Sequence, residues 1–330
     1  MRYLLQSMRT GLLLLSSSIP ALALSTPTPI FTLPGTIAPE SWFENLAVRP
    51  NGLILATRGD APEIWQINPR TGAGTLLATV ADTFNLTGIT QLTTTPETYV
   101  FGSSHMLSFT EVVPASAKIW TLEFPAPGST PTTTSTPPVV SLLTTLPAAG
   151  FINGMATWDA NRVLLSDTLT SSIYLLDVAT ATFTTPFSSL SGVNGIRTAP
   201  GYVYWVDPIA LKLSRTPVDA DAVPTGLAEL LLEDQQMDDF ALAVDGTGAG
   251  KAYLGTLLEN VVVEVTFGAP PSAGLGVKRV VAEDVSGTGT GAVTVAVFGR
   301  RTQDAGLLYV AVGRTGREMR LIVMIRPRVN

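Results

Sequence analysis

Apolar and polar positions fall into short runs along this chain, not into long helical stripes. Five segments share one shape: a run of four or five β-formers, a short polar turn, and a second run. They are "NGLILATRGDAPEIWQINP" from Asn51, "NRVLLSDTLTSSIYLLDVA" from Asn161, "GYVYWVDPIALKLSRTPVD" from Gly201, "KAYLGTLLENVVVEVTFG" from Lys251 and "GLLYVAVGRTGREMRLIV" from Gly306. Each reads as a β-hairpin. A shorter apolar stretch precedes each one ("ENLAVRP", "NGMATWD", "NGIRTAP", "DFALAVD", "GAVTVAVFG"), and strand-like pieces such as "GTLLATV", "TFTTPF" and "AELLLED" follow. Helical periodicity of any length is absent beyond the N-terminal segment.

Four short strands per unit, recurring about every 41 to 55 residues, predict an all-β fold, a β-propeller. A β-helix has a much shorter period, and a sandwich does not place the same stretch at the start of each unit. Unit starts near Glu44, Thr90, Asn153, Asn194, Asp239 and Thr294 predict six four-stranded antiparallel blades around a central channel. The second unit is the least regular. It carries the insertion "FPAPGSTPTTTSTPPVV", at about 124–140, whose Pro and Thr content suits an extended loop between outer strands. The strand-like "IFTLPG" from Ile30 is expected to complete the last blade, so that one blade combines both chain ends.

Composition narrows the function. The 330 residues are 45% hydrophobic and 14% charged, with a formal net charge of −6, a length that permits one large domain or two ordinary ones and a composition that suits a β-rich globular protein. An acidic balance without a basic cluster argues against nucleic-acid binding. The spaced arginines Arg314, Arg317, Arg320, Arg326 and Arg328 read as solvent-facing strand positions. With no cysteine and only His105, thiol catalysis and His-rich zinc sites are excluded. "SGTGTGAV" from Ser286 opens a strand, not a helix, and reads as a loop, not a phosphate cradle.

Arg2 and Arg9 precede the run "GLLLLSSSIPALAL", which ends in Ala21-Leu22-Ala23. This is the layout of a signal peptide over 1–23, leaving 24–330 as a single domain and placing the protein in the secretory pathway. The run is too short to span a membrane, and no later segment reaches that length. Asn85-Leu86-Thr87 is an N-glycosylation acceptor triplet.

In a propeller the first strand of each blade lines the channel, so residues starting those strands converge although distant in sequence. Here they are Glu44 with Asn45, Thr90, Asn153, Asn194, and Asp238 with Asp239. Gathering these carboxylates is costly without a cation or a shared proton, which points to an active site. Trp42, Trp158, Trp205, Met237 and Phe240 lie near strand starts or adjoining loops and, with Thr90, are candidates for the walls of a substrate pocket.

Over roughly residues 40 to 315 this pattern resembles the gluconolactonase/senescence-marker-protein family of propellers and, more loosely, NHL-type propellers. That resemblance implies one divalent cation, calcium or a similar hard ion, held by Glu44, Asn153, Asn194 and Asp239. Asp239 would be the acid/base of lactone hydrolysis. The chain departs from the family where Glu44-Asn45-Leu46 stands for Glu-Gly-Pro and Asp238-Asp239-Phe240 for Pro-Asp-Gly. The pieces "ENLAVR", "INGM", "VNGI", "DDFALA" and "VFGRRTQDAGLLYV" look more like a branch of secreted fungal propellers, some of them hetero-Diels–Alderases of tropolonic sesquiterpenoid biosynthesis. This closer resemblance implies a cofactor-free cycloaddition between two small hydrophobic substrates, an o-quinone methide and a humulene-type terpene. The neutral amides of Asn153 and Asn194 would then donate hydrogen bonds to the quinone-methide oxygen. Cycloaddition is preferred, with metal-dependent lactone or ester hydrolysis and non-enzymatic binding as alternatives.

Overall fold

The computed structural model describes residues 24–33, 41–93, 97–108, 111–125, 137–271, 274–287, 291–313 and 321–325. The 1–23 segment, most of the blade-two insertion and the five C-terminal arginines lie outside the described residues.

The chain forms four-stranded antiparallel blades in a propeller ring, with no helix among the described residues. The first blade is Phe43–Val48, Ile54–Arg58, Glu63–Asn68 and Ala73–Thr79. The second is Ile89–Gln91, Thr98–Ser103, Lys118–Glu123 and Val139–Thr145. A small hairpin, Met106–Ser108 with Glu111–Val112, is inserted into it. The third is Ile152–Thr157, Arg162–Asp167, Ser172–Asp177 and Thr182–Phe187. The fourth is Ile196–Ala199, Tyr202–Asp207, Lys212–Pro217 and Glu229–Leu232. The fifth is Phe240–Val244, Gly250–Gly255, Val262–Phe267 and Val277–Ala282.

These five sheets are each built from one stretch of chain, whereas the remaining four-stranded sheet joins both ends. Ala292–Phe298, Leu308–Gly313 and Leu321–Ile325 supply three strands, and Thr28–Thr32 adds the outermost, with Phe31 opposite Ile322. The innermost strands of successive sheets touch one another all the way round, the last returning to Phe43–Val48.

Burial explains why the hydrophobic runs are near-continuous. Second strands such as Ile54–Arg58 and Tyr202–Asp207 are covered on both faces by neighbouring blades, whereas outermost strands such as Ala73–Thr79 are largely exposed. Apolar clusters fill the gaps between successive blades. One packs Leu55, Ile64, Tyr99, Phe101 and Trp120 between the first two. Another sets Phe31 of the N-terminal strand against Phe43 and Trp65, with ring centroids 6.3 and 5.8 Å apart. With no disulfide available, this distributed burial holds the ring closed.

Candidate active site

The ladder between the first and second strands is interrupted where the candidate residues sit. Register shifts fall between Phe43 and Asn45, between Ile152 and Met155, and between Val293 and Val295. Bulges of this kind free a residue from regular pairing and re-aim it. Here they release Glu44, Asn153 and Thr294 at the channel end of their strands.

A glycine at the start of each of three innermost strands has a steric role. A Cβ on Gly88 would lie 2.4 Å from the Asn153 carbonyl oxygen, one on Gly154 would lie 2.6 Å from that of Asn194, and one on Gly195 would lie 2.3 Å from Asp239 Oδ1. Each of Thr87-Gly88, Asn153-Gly154 and Asn194-Gly195 therefore admits the next blade's backbone, and none of these glycines has the positive φ of a tight hairpin turn. The same series shows that Thr87, preceding Gly88, is the second blade's counterpart of Asn153 and Asn194. Thr90, the position expected from sequence, lies three residues further along the channel.

A buried polar network spans the axis. Asp239 is 3% exposed, and both of its carboxylate oxygens are engaged. Oδ2 accepts from Asn45 Nδ2 at 2.8 Å, and Oδ1 accepts from the Phe240 amide at 2.7 Å and pairs with Arg197 Nη1 at 3.0 Å. Arg197 lies 5.4 Å from the centroid of the Phe240 ring. Asp238 Oδ1 accepts from Asn194 Nδ2 at 2.7 Å, while Asn194 Oδ1 and the Thr87 hydroxyl are buried without a hydrogen-bond partner. Glu44 Oε2 accepts from the Trp42 indole at 2.5 Å. The Asn153 side chain is buried, and its backbone carbonyl accepts from the Gly88 amide at 2.7 Å.

Burial pushes the Glu44 carboxyl up to about 7; the Trp42 hydrogen bond opposes the rise and the charge of Asp239 adds to it. Asp238 is held well above the usual carboxylate range, by burial first and then by the charges of Glu44 and Asp239, against the opposing bond from Asn194. Glu44 and Asp238 are therefore both harder to ionise than free carboxyls.

The cation cage that the family resemblance implies would draw on Glu44, Asn153, Asn194 and Asp239, two carboxylates and two amide oxygens. Asp239 Oδ1 already has a guanidinium and a backbone amide beside it, so an ion on that oxygen would compete with Arg197, whereas Oδ2 has one donor and Asn194 Oδ1 has none. Among the described residues no group of three or more His, Asp or Glu side chains is gathered tightly enough to hold a metal.

A cavity of about 630 Å³ opens over the other halves of the innermost strands, adjoining this network at Arg197. Leu46, Val48, Ile89, Leu92, Leu242 and Val297 give it aliphatic walls, and Thr90, Thr157 and Thr198 add hydroxyls. Arg197 belongs both to its lining and to the polar network.

The expected aromatic walls are not there. Trp205, Met237 and Phe240 are buried in the cores between the third, fourth and fifth blades, and Trp158 packs over the third-to-fourth gap with its indole donating to the Ala220 carbonyl at 2.9 Å. Strand-start proximity did not reveal which face each side chain takes, and inter-blade packing claimed these four. Trp42 stays at the site, through Glu44. Of the expected pocket residues only Thr90 lines the cavity, bonded to Thr157 at 2.8 Å. Asn85 is also displaced from its expected role. It is 4% exposed and its carboxamide is buried without a partner, so the folded chain does not present the glycosylation triplet.

Comparison with known proteins supports the same fold. No protein-family model matches the chain. It is 25% identical over 316 residues to a Sarocladium schorii protein named "Putative hetero-Diels-Alderase asR5", covering 82% of this chain and 75% of that one. Among solved structures it is similar to the calcium-binding protein regucalcin from Agrobacterium tumefaciens, with a TM-score of 0.59 and 18% identity over 93% of this chain and 95% of that one. It is likewise similar to a luciferin-regenerating enzyme, with a TM-score of 0.62 and 11% identity over 91% and 95% of the two chains. At these identities the structural likenesses establish the propeller fold.

Proposed function

We propose that this protein is a secreted enzyme that joins an o-quinone methide to a humulene-type alkene by hetero-Diels–Alder cycloaddition, without a metal or redox cofactor. The observation that carries this reading is a chamber with aliphatic and hydroxyl-bearing walls beside a polar network whose carboxylate, Asp239, is held by Arg197, Asn45 and the Phe240 amide. Its similarity to the Sarocladium protein supports the same chemistry.

Cycloaddition asks for little besides position. Four electrons of the oxadiene and two of the alkene reorganise into one new C–C and one new C–O bond, with no proton or electron left over. Holding two partners face to face supplies up to roughly 7–11 kcal/mol, and a chamber of this size accommodates drug-sized ligands. Charge builds on the quinone-methide oxygen as the bonds form. A donor placed there stabilises the transition state more than the ground state.

Lactone hydrolysis draws support from one feature, the unpartnered Asn194 Oδ1, an oxygen available to a ligand. It also needs Asp239 as a free acid/base, and Asp239 is tied to Arg197, Asn45 and Phe240. The test is a comparison of the chelator-treated protein on two assays. Cycloadduct formation above background, with sugar-lactone and aryl-ester hydrolysis at the buffer rate, is expected; hydrolysis restored by a divalent cation, without adduct, would overturn the proposal.

A further inference from the structure

We infer that the chamber takes a ligand with an ionised oxygen on an apolar body, and that Arg197 is the residue that holds that oxygen; this rests on the reading of the chamber as the substrate site. The lining contains two guanidiniums, Arg197 and Arg300, and no carboxylate. An anion leaving water for a lining of aliphatic side chains and neutral Thr and Gln groups gains most from a charged partner there.

Arg197 is prepared for this. Its Nη1 is committed to Asp239 Oδ1 and to the Ile196 carbonyl at 2.7 Å, and the Phe240 ring lies beside the guanidinium. Asp239 is itself fixed by Asn45 and the Phe240 amide. The orientation of the fork is therefore set before a ligand arrives, while its Nε and Nη2 hydrogens have no acceptor among the described residues. Two parallel donors on a planar cation match a carboxylate or phenolate better than a lysine would. Asp239 thus serves as a positioning residue for Arg197. Arg300 repeats the arrangement at a second point of the lining, its Nη1 donating to Gln91 and, at 3.1 Å, to the Val48 carbonyl. The adjoining turn is locked by Arg301 with Asp304, whose side chains pair at 2.5 Å.

The test titrates the full-length secreted protein with 2-naphthoate and with its neutral isostere 2-naphthamide, by calorimetry at pH 8. Wild type is expected to prefer the naphthoate by at least about tenfold, the equivalent of one charge-assisted hydrogen bond. Arg197→Met should erase that preference while naphthamide still binds, and Arg197→Lys should restore only part of it. Equal affinity of wild type for the two probes, or a preference that survives Arg197→Met, would overturn the inference. The assay does not read bond formation. A naphthoate preference in a protein that makes no cycloadduct would uphold the anion site and sink the proposed reaction, and adduct formation without the preference would do the reverse.

Discussion

Replacing Glu44 by Gln separates this carboxyl's charge from its shape, because the amide oxygen still accepts the Trp42 indole bond. The folded protein holds Glu44 near 7 against an ordinary 4.5. Below pH 4.5 the group is neutral in both the folded and the unfolded chain. Between 4.5 and 7 the unfolded chain ionises first, so the native state binds more protons and stability falls as pH rises. Above 7 the fold must keep an anion that the unfolded chain would solvate freely. The gap corresponds to about 3 kcal/mol at 1.36 kcal/mol per unit, and solvent screening of this half-buried side chain brings the expected effect down to ~1–2 kcal/mol. Glu44→Gln should therefore raise the melting temperature at pH 8 by roughly 2–5 °C and leave it nearly unchanged at pH 4.5. Scanning calorimetry of both proteins from pH 4.5 to 8.5 measures this directly. A variant that melts lower than wild type at pH 8, or that shifts it equally at both ends, would refute the reasoning.

Phe31→Ala should destabilise the protein by about 3 kcal/mol, since the side chain closes the ring between Phe43 and Trp65; urea unfolding would show it, and an unchanged midpoint would mean the N-terminal strand is dispensable. Gly195→Ala should displace Asp239, which a Cβ would approach to 2.3 Å. Its expected cost is about 1–3 kcal/mol together with loss of activity, readable in melting curves and in adduct yield. Because Asn85 is buried, intact-mass measurement of the protein expressed through a eukaryotic secretory host should show no glycan at that position, and Asn85→Gln should leave its glycosidase sensitivity unchanged.

The propeller was legible because each strand is a contiguous apolar run and each blade buries both faces. Runs such as "RVLLSD" and "YVYWVD" carry that signal without reference to any distant residue. The composite sheet could be read as well, since "IFTLPG" is a strand with no partner nearby in sequence. The axial residues were legible wherever Asn-Gly repeats. The second blade writes "NLTGIT", and only the packing of Gly88 against Asn153 identifies Thr87 as the counterpart. Arg197 was missed because its partner Asp239 lies in the next blade. A usable signal existed: in "NGIR" alternate residues face opposite sides of a strand, and with Ile196 in the inter-blade core, Arg197 turns to the channel. The aromatic residues misled for the same reason. Position along a strand says where a side chain starts, and the face decides what it touches.

Chirality of the product tests the central claim most directly. Chelator-treated wild-type protein would be incubated with an o-quinone methide precursor and humulene, and the adduct resolved by chiral chromatography against a protein-free control. The account predicts one enantiomer in large excess, formed faster than in the control. A racemic adduct at the uncatalysed rate would contradict it.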